Sequence, residues 1–226
     1  MLIIRAQPAL RTERTMEQLA TIIPMSDTSR QIAAEDLSPT ALPDAFLKSD
    51  VAAAAAKFHF PCYDELPSVE LYRDQVIAYI ESMLAPLDAC AEGPWLTPSM
   101  VNNYVKQRLL PAPVKKLYGS EQIARLLVIC VFKQFLSMEA IARMFSIQLM
   151  TYPVEVAFDY IANELNHAVS DAFSVDGTRH EDSARVVTRE SVLVRSAAEA
   201  FASKAFLMSY LSYCGYDAAE SDGKRR

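Results

Sequence analysis

Only five glycines occur among the 226 residues, and that scarcity constrains the fold more than any other single feature. Glycine enters left-handed backbone conformations without steric cost, and turn-rich β folds draw on it at hairpin after hairpin. A chain so poor in glycine, with 51% apolar residues and abundant alanine and leucine, is expected to fold as helices. The length suits one medium domain or two small ones. The four cysteines, Cys62, Cys90, Cys130 and Cys214, form no CxxC pair and read as reduced thiols rather than a disulfide framework. The opening "MLIIR" is too short an apolar run for a signal-peptide core, and no run approaches the ~20 residues that span a bilayer. The expectation is a cytoplasmic protein with no membrane partner.

Prolines and capping residues divide the chain. Residues 1–60, with Pro8, Pro24, Pro39 and Pro43 and many Ser and Thr, are expected to be a flexible extension. A first helix is predicted over about Val69–Ala85, with Ser68 as its N-cap and Pro86 as its end. Thr97 caps a second helix, Pro98–Arg108, with Pro98 in the favoured first turn. Pro111 and Pro113 forbid helix through "LLPAPVKKLYG". A third helix is expected from Glu121 to about Phe135, capped by Ser120, and a fourth from Met138 to Phe145 or beyond, capped by Ser137. A long helix after Pro153, a polar turn around Asp176-Gly177, and a final helix over roughly Val187–Tyr213 complete the pattern. The organisation expected is an all-α chain: extension 1–60, a DNA-binding unit 61–150, a helical dimerisation or effector region 151–216, and a disordered tail 217–226.

The chain is acidic, with a formal charge of −6, yet no Asp or Glu lies between Glu92 and Glu121. That window holds Lys106, Arg108, Lys115 and Lys116. On the second helix Ser99, Asn102, Asn103 and Lys106 fall at i, i+3, i+4 and i+7 and share one face, with Val101, Tyr104 and Val105 opposite. Asparagine can pair with adenine in the major groove, and lysine reaches guanine or phosphate. Carboxylates would repel the phosphates, and this face has none. The proline-stiffened segment that follows carries Lys115, Lys116 and Tyr118, suited to gripping phosphates beside the groove. The bland alternative is a merely solvated polar face. The candidate DNA contacts are therefore Thr97, Ser99, Asn102, Asn103, Lys106, Arg108, Lys115, Lys116 and Tyr118.

The stretch "VNNYVKQRLLPAPVKKLYGSEQIARLLVICVFKQFLSMEAIARMF" resembles the winged helix-turn-helix of MerR-type regulators, whose second helix reads LRYYxxxGLLxPxR. Tyr104, Leu109, Leu110 and Pro111 match that motif, Tyr118 matches the tyrosine before the third helix, and Phe135–Glu139 match the turn into the fourth. The resemblance implies a DNA-binding regulator. The chain departs from the pattern where Asn102 stands for arginine, Arg108 for glycine, and Val114 for the wing arginine. Arginine at 108 must either adopt the left-handed conformation at some cost or end the helix differently. The openings "ELPSVELYRDQV" and "TPSMVNNYVKQRLLPAPVKKLY" are also similar to a bacterial family of domains of unknown function. That likeness covers roughly residues 58–165.

Other chemistry is sparse. His59 and Cys62 make an HxxC spacing without a second ligand pair, so no metal site is expected. His167 with Glu164 reads as a surface pair. No phosphate loop, HExxH or GxSxG motif is present, and neither an enzyme nor a cofactor is expected. The apolar stripe of the last helix, with Phe201, Phe206, Leu207 and Tyr210, and the residues Met144 to Met150 suit core packing, a dimer seam or an effector pocket. The function expected is sequence-specific transcriptional regulation by a homodimer on double-stranded DNA, as a repressor rather than a promoter-twisting activator. The rival is a protein-binding adaptor whose helix-turn-helix no longer binds DNA.

Overall fold

The computed structural model describes residues 40–214. They are mostly helical, with seven α-helices and two short strands. In order these are α1 (Asp50–Ala56), β1 (Leu71–Tyr72), α2 (Arg73–Leu84), α3 (Pro98–Lys106), β2 (Leu117–Tyr118), α4 (Ser120–Phe132), α5 (Met138–Thr151), α6 (Val154–Ala172) and α7 (Arg189–Tyr213). No helix among them is long and apolar enough to cross a membrane.

The core forms around α4, which is buried continuously from Leu126 to Phe132. A helix apolar on every side must be surrounded, and α2, α6 and α7 pack against it. The most extensive helix pair is α6 with α7. On α7 the buried side is small: Ala197, Ala198, Ala202, Ala205 and Ser209, with Phe201 the one large insertion. Small residues let the two backbones approach closely, and the larger Leu207 of the expected stripe is exposed instead.

Three expectations are corrected by contacts between residues far apart in sequence. The first helix starts at Arg73, not Val69, because Leu71 and Tyr72 pair antiparallel with Tyr118 and Leu117. Val69 and Tyr72 are consequently exposed, and Gln75 Oε1, not Ser68, accepts from the N–H of Tyr72 at the helix start. Ser120 does not cap α4. Gln122 Oε1 accepts from Gly119 N–H at 2.7 Å, while Ser120 Oγ donates to the carbonyl of Pro67. Residues 40–60 belong to the packed structure rather than to a flexible arm. Phe46 sits among Phe173, Phe206, Tyr210 and Tyr213 at centroid distances of 5.3–6.2 Å, and Phe58 and Phe60 are buried. Residues 1–39 of that expected extension, and the expected tail, lie outside the described residues.

The connector from α2 to α3 is also built in. A 3-10 helix, Ala85–Cys90, follows α2 directly, and the buried Trp95 donates its indole N–H to Asp88 at 2.7 Å. Glu81 accepts from Leu96 N–H, and Lys133, the C-cap of α4, donates to the Trp95 carbonyl. The start of α3 is thus held from both neighbouring helices. Farther on, Glu164 and His167 are not a surface pair. Glu164 is buried and accepts from the N–H and hydroxyl of Ser183, and the His167 ring stacks on His180 at 4.4 Å.

Candidate nucleic-acid interface

Thr97 Oγ1 accepts from Met100 N–H at 3.2 Å and starts α3 where the sequence places it. Val101 and Tyr104 are buried against the core, which turns Ser99, Asn102, Asn103 and Lys106 outward. All four are exposed and lie on one side of the helix.

The helix ends in a Schellman motif. The N–H of Leu109 reaches the Tyr104 carbonyl at 3.0 Å and the N–H of Arg108 reaches the Val105 carbonyl at 3.1 Å. This closure needs a left-handed residue, and Arg108 supplies it at φ 59° where glycine is usual. Leu109 and Leu110 then drop into the core and fix the exit direction.

The segment returns as a two-residue hairpin. Val114 and Leu117 exchange both backbone hydrogen bonds, at 3.2 and 2.9 Å, around Lys115 and Lys116. Their φ values, 51° and 69°, are those of a type I′ turn, which ordinarily holds Asn-Gly. The all-α expectation missed this hairpin and the β1–β2 pairing that anchors it. Gln122 braces it further by donating to the Ala112 carbonyl at 3.2 Å.

Arg108, Lys115 and Lys116 are the described non-glycine residues with positive φ. Each left-handed L-residue costs about 1–2 kcal/mol. Three together come to roughly 3 kcal/mol or more, a sizeable part of the 5–15 kcal/mol that keeps a domain folded. All three are basic, exposed, and inside the acid-free window. Neither they nor Lys106 has a hydrogen-bond or ion-pair partner for its side chain among the described residues. Elsewhere Arg73, Arg125, Arg143, Arg189 and Arg195 are ion-paired, whereas exposed Lys48, Lys57 and Arg185 are also without a side-chain partner among the described residues.

Tyr118 differs from the other candidates because it is buried, and desolvation raises its phenol pKa. Its ring belongs to the core, so its part at the surface is to hold the hairpin. Two exposed residues beside the site escaped sequence reasoning. Gln107, the C-cap of α3, lies inside the acid-free window, which was the available signal. Tyr72, opposite Leu117, is exposed only because its segment is a strand, and helical spacing hid that. Exposed Glu70 and Asp74 flank this strand in sequence, and Asp74 is paired with Arg73 at 3.2 Å.

Residues 61–161 match the profile of the family described as Domain of unknown function (DUF1836). The matched stretch takes in the whole candidate interface, from β1 through α3 and the hairpin to α5 and the opening turns of α6. The match carries no assignment to the MerR-type regulators. No curated protein and no solved structure matches the chain.

Proposed function

We propose that this chain is a sequence-specific DNA-binding transcriptional regulator with a winged helix-turn-helix arrangement. In this reading α3 enters the major groove and the hairpin tip grips phosphates alongside. The observation that carries it is the coincidence of strain and charge: Arg108, Lys115 and Lys116 occupy backbone positions that glycine would fill at lower cost, and their charges are unpartnered. Backbone strain persists at functional sites when the side chain is needed there. Ahead of them in the chain, α3 presents Asn102 and Asn103, whose amides can read adenine edges, and Lys106, which can reach guanine or phosphate. A two-fold dimer would place two such helices on half-sites a helical turn apart, and simple occupancy of an operator suits a repressor.

Selection from a random-sequence DNA library, repeated across a salt series, tests this reading. An enriched motif with steep salt dependence is expected, and a palindrome would establish the dimer. Asn103→Ala should alter which sequences are enriched, whereas Lys115→Ala with Lys116→Ala should weaken all of them. An Asn103→Ala effect equal on every sequence would remove α3 from the major groove. A second reading, a protein-binding adaptor, is favoured by the net charge of −6, which repels phosphates at long range. Absence of any enriched motif would favour it.

A further inference from the structure

A cavity of about 430 Å³ opens between α4, α5, α6 and the start of α7. Its wall is largely apolar: Val128 and Phe132 of α4, Phe145 of α5, Phe158 and Ile161 of α6, and Leu193 of α7. Close packing ordinarily leaves few voids larger than a water molecule, whereas small-molecule pockets run from about 300 to 1,000 Å³. The space exists because α5 is under-packed. Of its fourteen residues Ile141 alone is fully buried, although Met144, Phe145 and Ile147 also line the cavity. Ala157 and Ala184 leave further room on the opposite wall.

The charges at the cavity discriminate among occupants. Its charged lining residues are Arg125, Arg185 and Glu190. Arg125 pairs with Glu121 at 3.1 Å and lies over the Phe145 ring at 5.6 Å. Glu190 pairs with Arg189. Arg185 is exposed and has no hydrogen bond or ion pair among the described residues, a condition it shares among the described arginines with Arg108. One uncompensated cation therefore stands beside a wall of apolar side chains.

We infer that this cavity binds an amphipathic organic anion, its apolar body between α4, α5 and α6 and its single negative head on Arg185. An apolar body matches the wall, and a neutral or cationic head would leave Arg185 without a counter-charge. The site rests on the cavity and on Arg185, and is independent of the DNA reading.

The probes are 1-anilinonaphthalene-8-sulfonate, followed by fluorescence, with decanoate and decan-1-ol as competitors on the full chain. Saturable binding of one probe per chain is expected, with decanoate competing better than decan-1-ol. Arg185→Gln should weaken decanoate about fivefold or more, the loss of one charge-assisted contact, and leave decan-1-ol unchanged. Ala157→Phe should fill the space and abolish both. Arg185 is exposed, so its variant remains informative even if Ala157→Phe fails to fold. Equal affinity of decanoate for wild type and Arg185→Gln would overturn the inference. So would non-saturable probe binding, or a stable dimer in sedimentation that excludes the probe, since a second copy would then cover the groove.

Discussion

At the scale of single residues, the chain uses lysine and arginine where backbone geometry calls for glycine. Lys115 and Lys116 form both central positions of a type I′ turn, and Arg108 closes α3. Strain and proposed function therefore make opposite predictions for one double variant. Lys115→Asn with Lys116→Gly should raise stability by about 1 kcal/mol, because the left-handed cost falls by more than the glycine adds in chain entropy. The same variant should lower the slope of log affinity against log salt by about 1.8, the loss of two phosphate contacts. Urea unfolding and a salt titration of DNA binding check the two halves. A stabilised variant with unchanged DNA binding would leave the hairpin a structural turn. Burial separates the cysteines in the same local way. It pushes the Cys90 and Cys130 thiols up to about 12, whereas Cys62 and Cys214 are partly exposed. Iodoacetamide at pH 8 should label the latter pair in the native protein and reach Cys90 and Cys130 only after unfolding.

At the scale of elements, short segments are held by partners distant in sequence. The stretch around α1 is fastened by Phe46, whose ring meets four aromatic rings of the C-terminal region. Phe46→Ala should cost about 3–5 kcal/mol, measured by urea unfolding, since the nest cannot close over the vacancy. A cost below 1 kcal/mol would mean that residues 40–60 contribute little to the packed structure. Helix α3 is bounded by one side-chain cap, and Thr97→Ala should cost about 1 kcal/mol in the same assay. Its position is set by the connector, through Trp95 and the contacts of Glu81 and Lys133. The face it presents therefore depends on residues that would never touch a ligand.

At the scale of the whole molecule, ionisation bounds the pH range of stability. The Glu65 carboxyl is held below its ordinary range by the N–H of Cys62 and by His59, that of Asp182 by the N–H of Ala184, and that of Glu190 by Arg189. A depressed folded pKa gives stability that is present above the unfolded value, near 4, and lost as pH falls through the folded one. The buried thiols act at the other end. Their folded values are raised, so their contribution is complete below 9.0 and is lost as pH rises toward about 12. The melting temperature should be flat between about pH 5 and 9 and fall on both sides. A maximum confined to acidic pH would contradict these assignments.

What the sequence determined by itself was local. Thr97 and Ser137 cap the helices they were expected to cap, and Pro153 stands immediately before α6. The two-faced pattern of α3 correctly separated exposed Asn102, Asn103 and Lys106 from buried Val101 and Tyr104, because helical spacing and caps act within a few residues. The tertiary structure decided whatever required a distant partner. Leu71 and Tyr72 leave the predicted helix because they meet Leu117 and Tyr118. Phe46 is ordered because α6 and α7 bring aromatic rings to it, and Glu164 is buried because the 174–188 segment folds back over it. The cavity at Arg185 belongs to the same class: no local pattern encodes a space that four separate helices leave unfilled.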